Sequence, residues 1–127
     1  YYFYINFELM LKGEIIIKKN NYGELSYCKN CHLYFLRFSN LLIELTHKEL
    51  KAFFLVVKNV DINHWKKINK SSSNKRIYPI STCQQNLVLV FNSSELEAIK
   101  DLVSIYKSDY PKPTSFFNGK KNNHFLN

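Results

Sequence analysis

A chain of 127 residues that is 46% hydrophobic and 16% aromatic can bury a core of its own, which excludes an intrinsically disordered polypeptide. Three cysteines are too few and too unevenly placed for a secreted disulfide scaffold. The formal net charge of +8 admits a polyanionic partner such as nucleic acid. The excess is nearly all lysine, in a chain crowded with Asn, Ile, Tyr and Phe. That profile is what AT-rich codons produce, so a solvated surface accounts for most of the charge.

Residues 1–9 precede the only methionine, Met10. They are strongly aromatic, follow no period, and are expected to form a non-native or disordered leader. The apolar stretch from Tyr1 to Ile17 is interrupted by Asn6, Glu8 and Lys12. It lacks a basic leader and a small-residue cleavage site, and it is too short to span a bilayer. The expected compartment is the cytoplasm, with reduced thiols and no membrane association.

A single α+β domain is expected over residues 10–108. Ile15, Ile16 and Ile17 form a β-branched run that predicts a buried strand over 13–18. Asn20-Asn21-Tyr22-Gly23 is a turn signal, after which Leu25 and Tyr27 alternate with polar neighbours in a second strand. The Cys28-x-x-Cys31 turn leads into a third strand over 33–38, Ser39-Asn40 makes a bend, and a fourth strand covers 41–45. Thr46 followed by Glu49 is a capping box opening a helix over 47–59, whose apolar face is Leu50, Phe53, Phe54 and Val57. Ile62, Trp65 and Ile68 are spaced for a short helical turn, and 69–75 is a Ser-, Asn- and Lys-rich loop. Strands over 76–82 and 87–91 follow, joined by Cys83-Gln84-Gln85-Asn86. Asn92 with Glu95 then caps a helix over 93–107 carrying Leu96, Ile99, Leu102, Val103 and Tyr106. Residues 109–127 hold Pro111, Pro113 and Gly119 without periodicity and are expected to be a flexible tail.

The segment from Asn40 to Phe53 reappears as Asn86 to Ile99, in both cases a strand running straight into a capped helix. The chain is therefore expected to contain two ββα units, about 32–60 and 75–107. Each helix must bury its apolar stripe, and the economical arrangement is one antiparallel sheet with both helices on one face.

Cys28-Lys29-Asn30-Cys31-His32 carries the most chemical content. A Cys-x-x-Cys turn between strands resembles a zinc knuckle, aiming two thiolates at one point at the roughly 2.3 Å of a Zn–S bond. A closed site needs four ligands. Cys83, His32, His47, His64 and His124 are the remaining candidates, and the tentative set is Cys28, Cys31, His32 and Cys83. The competing reading is two small side chains packed in a hairpin. The Cys-x-x-Cys-His pattern of c-type haem attachment disagrees with the strand-like run after His32 and with the absence of an export signal. Dithiol redox catalysis would place the motif at a helix N-terminus, where thiol pKa values fall, and here it precedes a strand. Lys66, Lys67, Lys70, Lys75 and Arg76 cluster around Trp65 as a candidate nucleic-acid surface, in which lysines would meet phosphate and the indole a base. The competing reading has Trp65 packing the first helix onto the sheet beneath solvated lysines. Glu49 and Glu95 resemble paired catalytic acids, but capping explains both.

Tyr27-Cys28-Lys29-Asn30-Cys31, Phe38 to Leu45, Glu49-Leu50, Asp61-Ile62 with Trp65, Ile77 to Thr82 and Leu87 to Phe91 followed by Glu95 share an order and spacing. On these segments the chain, from Gly23 to about Tyr106, resembles a family of small uncharacterised Bacteroidota proteins grouped as a domain of unknown function. The resemblance implies a small cytoplasmic bacterial protein with a Cys-x-x-Cys hairpin and no assigned activity. It also implies a Cys or His near the N-terminus, which residues 13–23 do not supply.

The sequence thus points to a non-enzymatic binding or adaptor module with an as yet unidentified protein partner and a zinc-stabilised hairpin. The alternative is a nucleic-acid-binding protein using residues 65–76.

Overall fold

In the computed structural model, which describes residues 13–107, the first four strands form an antiparallel meander. They are β1 (Glu14–Asn20), β2 (Gly23–Cys28), β3 (Leu33–Phe38) and β4 (Leu41–Leu45), lying side by side in chain order. Two helices follow, α1 (His47–Lys58) and α2 (Ile62–Ile68). A separate antiparallel pair, β5 (Tyr78–Ser81) and β6 (Val88–Phe91), precedes α3 (Ser93–Val103), which tightens into a 3₁₀ turn at Ser104–Lys107. The class is α+β. The expected leader 1–9, the tail 109–127 and the side chain of Tyr106 lie outside the described residues.

Local chemistry sets the turns. The Asn20 carboxamide oxygen accepts from the amides of Tyr22 (2.9 Å) and Gly23 (3.2 Å), closing the β1–β2 connection as an Asx turn. Gly23 is required by proximity, because a Cβ there would collide with the carbonyl oxygen of Arg37 on β3. Ser39 takes φ 57°, the left-handed conformation that two-residue hairpin connections demand. Both long helices begin in complete capping boxes. The Thr46 hydroxyl accepts from the Glu49 amide (3.1 Å) while the Thr46 amide donates to the Glu49 carboxylate (2.9 Å). Asn92 and Glu95 repeat the exchange at 2.8 and 2.9 Å.

The core follows from strand alternation. Leu25, Tyr34, Leu36, Phe38 and Leu45 point from the four-stranded sheet toward Leu50, Phe53, Phe54 and Val57 of α1 and Leu96, Ile99, Leu102 and Val103 of α3. Tyr78, Ile80, Leu89 and Phe91 of the two-stranded sheet join the same core, with Phe91 edge-on to Phe38 at 5.5 Å between ring centres. Lys18 fastens β1 to α3 through Asp101 (3.0 Å), and the Asn20 side chain donates to the Ala98 carbonyl (3.0 Å).

Three expectations are revised. The strands divide between two sheets instead of forming one. α1, α2 and the loop after them separate β4 from β5, and Pro79 deprives the short strand β5 of a donor, a residue that edge strands tolerate. β1 is a strand but not a buried one: Ile15 and Ile16 are 46% and 54% exposed, and of the three only Ile17 packs on the core. β1 is the outer strand among those described, and a bulge between Ile16 and Lys18 breaks its alternation. The second helix also ends its α-helical portion at Val103, short of the expected 107.

Two substitutions test this construction. Gly23→Ala forces a methyl against backbone that cannot yield and should destabilise the protein by about 2–3 kcal/mol. Asn92→Ala removes one cap and should cost about 1 kcal/mol. Urea unfolding at unchanged denaturant slope measures both, and a neutral Gly23→Ala would contradict the close approach of β2 and β3.

Candidate functional site

The β2–β3 hairpin brings Cys28 and Cys31 together. Cys28 is the last residue of β2, and its carbonyl accepts from the His32 amide at 2.8 Å, which folds residues 29–32 back on themselves. His32 completes the reversal in the left-handed region, at φ 57°. The two sulfurs lie 2.6 Å apart, and the Cys31 amide donates to the Cys28 sulfur at 3.2 Å. All three cysteines of the chain are thiols, with no disulfide. Cys28 is fully buried and Cys31 half-buried on a floor of Phe35, Leu33 and Leu42. This small apolar cluster is distinct from the main core. It is built from the other set of alternating positions in β2, β3 and β4.

The electrostatics of this patch favour a neutral thiol at Cys31. Burial, together with the hydrogen bond shared with Cys28 and the nearby Glu44 carboxylate, pushes the Cys31 thiol up to about 12. A thiol held that high is a poor nucleophile at neutral pH, so Cys31 is not an activated thiolate.

The same register gathers a polar network beside the pair. Glu14 lies opposite Cys28 on β1, takes a hydrogen bond from the fully buried Ser26 hydroxyl, and forms a two-pronged ion pair with Arg37. Arg37 also donates to Glu24 at 2.8 Å. The guanidinium holds the Glu14 carboxyl below the usual carboxylate range, and Glu14 in turn raises Arg37. The sequence pattern did not disclose this network, because it depends on which residues of β1 and β3 stand beside which residues of β2.

The other expected site residues scatter. His32 is exposed on the hairpin. Cys83 lies exposed in the β5–β6 connection, where partial burial and the Glu49 carboxylate of α1 raise its thiol. Among the described residues no third His, Cys, Asp or Glu joins Cys28 and Cys31 in a group able to hold a metal. The expected set of Cys28, Cys31, His32 and Cys83 is not gathered into one such group: His32 shares the hairpin but does not join the sulfurs, and Cys83 lies in the β5–β6 connection. His47 is engaged by the Tyr34 hydroxyl at 2.9 Å, His64 stands edge-on to Trp65, and His124 lies outside the described residues. In the basic stretch, Trp65 is half-buried against the core, and Lys66, Lys67, Lys70 and Lys75 are exposed. Arg76 makes a two-pronged ion pair with Glu95 at 3.0 and 2.7 Å.

Residues 10–122 match a family of unknown function, DUF6686. The chain belongs to this family. No curated protein and no solved structure gives a significant match. Among the described residues of this DUF6686 member no helix is long and apolar enough to cross a membrane.

The half-buried His47 gives the domain a pH dependence. Burial, then the Lys51 charge, lowers its pKa from 6.5, so the unfolded chain binds a proton more readily than the folded one. Stability from this group is complete above about pH 6.5 and is lost as the pH falls toward the folded value. The depressed carboxyls of Glu14, Glu95 and Asp101 act only at lower pH, below their ordinary range near 4. The urea midpoint should fall between about pH 7.5 and about pH 5.5, and His47→Gln should flatten that part of the profile. An unchanged profile in the variant would assign the effect elsewhere.

Proposed function

We propose that this protein is a small cytoplasmic, non-enzymatic binding or adaptor module whose β2–β3 hairpin carries a zinc ion on Cys28 and Cys31. The observation that carries the reading is the convergence of two sulfurs at the hairpin end, with a backbone amide donating to one of them. Zinc suits the pair because it prefers sulfur in tetrahedral geometry and undergoes no redox change. A Cys31 thiol that stays protonated until a cation replaces the proton argues against a dithiol catalyst.

The nucleic-acid reading of Trp65, Lys66, Lys67, Lys70, Lys75 and Arg76 has weaker support. The indole that would stack on a base is half-buried against the core, and Arg76 already holds Glu95. Four exposed lysines then remain, which is an ordinary solvated surface.

Metal analysis of protein purified without chelator tests the zinc reading. The expected result is bound zinc in fixed proportion to protein. Because zinc binds the folded hairpin, chelation should lower Tm by roughly 10 °C. The double variant Cys28→Ser with Cys31→Ser should show a similarly low Tm and no response to chelator. Metal-free protein whose Tm is unmoved by chelator would reduce the cysteines to packing residues.

A further inference from the structure

We propose that Cys28 and Cys31 are a redox-modification site, in which the folded hairpin closes the two thiols into an intramolecular disulfide and a reductant reopens it. The inference goes beyond the zinc reading and needs no metal. A disulfide sulfur has no thiolate left to bind an ion, so the two uses of the pair exclude each other. The sulfurs stand 2.6 Å apart as thiols, against about 2.05 Å for an S–S bond.

The backbone sets this placement. The Cys28 carbonyl accepts from the His32 amide at 2.8 Å, and the Cys31 amide donates to the Cys28 sulfur at 3.2 Å. His32 ends the turn in the left-handed region, at φ 57°. Cys28 and Phe35 are wholly removed from solvent, so the pair rests on a packed floor. Groups held in reacting position behave as if at very high local concentration. Burial also sets the order of events, because Cys31 is partly open to solvent and Cys28 is not. Cys83 stays apart, exposed in the β5–β6 connection. Burial, the hydrogen bond with Cys28 and the Glu44 carboxylate keep the Cys31 thiol protonated, which slows its attack. They also deny the reduced pair the stabilised thiolate that makes catalytic dithiols strongly oxidising. A disulfide formed here is retained and not passed on, which suits a clasp on the hairpin.

The oxidant is a small disulfide, for which oxidised glutathione stands. Cys31, in its minor thiolate form, attacks one glutathione sulfur. The other glutathione leaves and takes up the proton that Cys31 gave up. Cys28 then loses its proton and attacks the Cys31 sulfur, and the second glutathione leaves as a thiol with that proton. One S–S bond breaks and one forms, and the two cysteines pass two electrons to the glutathione disulfide.

The test equilibrates the full chain, stripped of metal by chelator, with mixtures of oxidised and reduced glutathione, then quenches in acid. Intact mass, a free-thiol count and peptide mapping are the readouts. The expected product is a monomer lighter by two hydrogens, with free thiols falling from three to one and Cys28 linked to Cys31. The folded chain should keep the disulfide in mixtures at least about tenfold more reducing than the urea-unfolded chain does, because the fold supplies the placement. Cys83→Ser should leave closure unchanged, and Cys31→Ser should abolish it. If Cys31→Ser does not fold, mapping of the wild-type chain decides. Equal closure in the folded and unfolded chains would overturn the proposal, since spacing alone would then pair the sulfurs. Three thiols that persist in oxidised glutathione, a glutathione adduct that stays on Cys31, or a disulfide through Cys83 would overturn it too. With the metal removed beforehand, none of these outcomes decides whether zinc binds, and a protein that takes no zinc leaves the disulfide standing.

Discussion

Phe35 and Leu36 are neighbours in β3 and point to opposite faces of the sheet, yet both are wholly removed from solvent. A strand covered on both faces fixes everything that pairs with it. On one face Tyr34, Leu36 and Phe38 anchor the main core, against which the two capped helices and the smaller sheet close. On the other face Phe35 carries Cys28, Cys31, Leu33 and Leu42. Burial of an aromatic side chain of this size is worth about 3–5 kcal/mol by truncation. The hairpin bearing the sulfurs is thus held by packing first, with the turn geometry built on that support.

The second face is also where the charge is concentrated. Arg37 binds Glu14 and Glu24 at once, and Ser26 donates to Glu14, so a sheet surface with two carboxylates is kept ordered by one guanidinium. Glu44 stands across from Phe35 on β4 and acts on Cys31. Burial, the paired sulfur and this carboxylate together oppose ionisation of the Cys31 thiol.

Much of the fold was legible because it is local. The capping boxes at Thr46–Glu49 and Asn92–Glu95 marked both helix starts, and alternation located β2, with turn signals bounding β3 and β4. What escaped is non-local. The β-branched run at Ile15 to Ile17 signals a strand, but whether a strand is buried depends on its place in the sheet, and β1 lies at the edge among the described strands. The two segments read as a repeat share a capped helix start, while the strands before them fall into separate sheets, so the structure does not show two repeated units. The sulfur pair was legible from its spacing. The expected companion Cys83 was not excluded by spacing, since its distance from the pair depends on how two hairpins are placed, while His32 turns on the local left-handed conformation of its own backbone. Arg37 gave no signal at all, because its partners are set by register.

The central proposal is that Cys28 and Cys31 hold zinc. Zinc-edge X-ray absorption on the purified chain addresses it directly. The account predicts at least two sulfurs at about 2.3 Å in the first shell. A first shell without sulfur, or a protein that retains no zinc to measure, would contradict it.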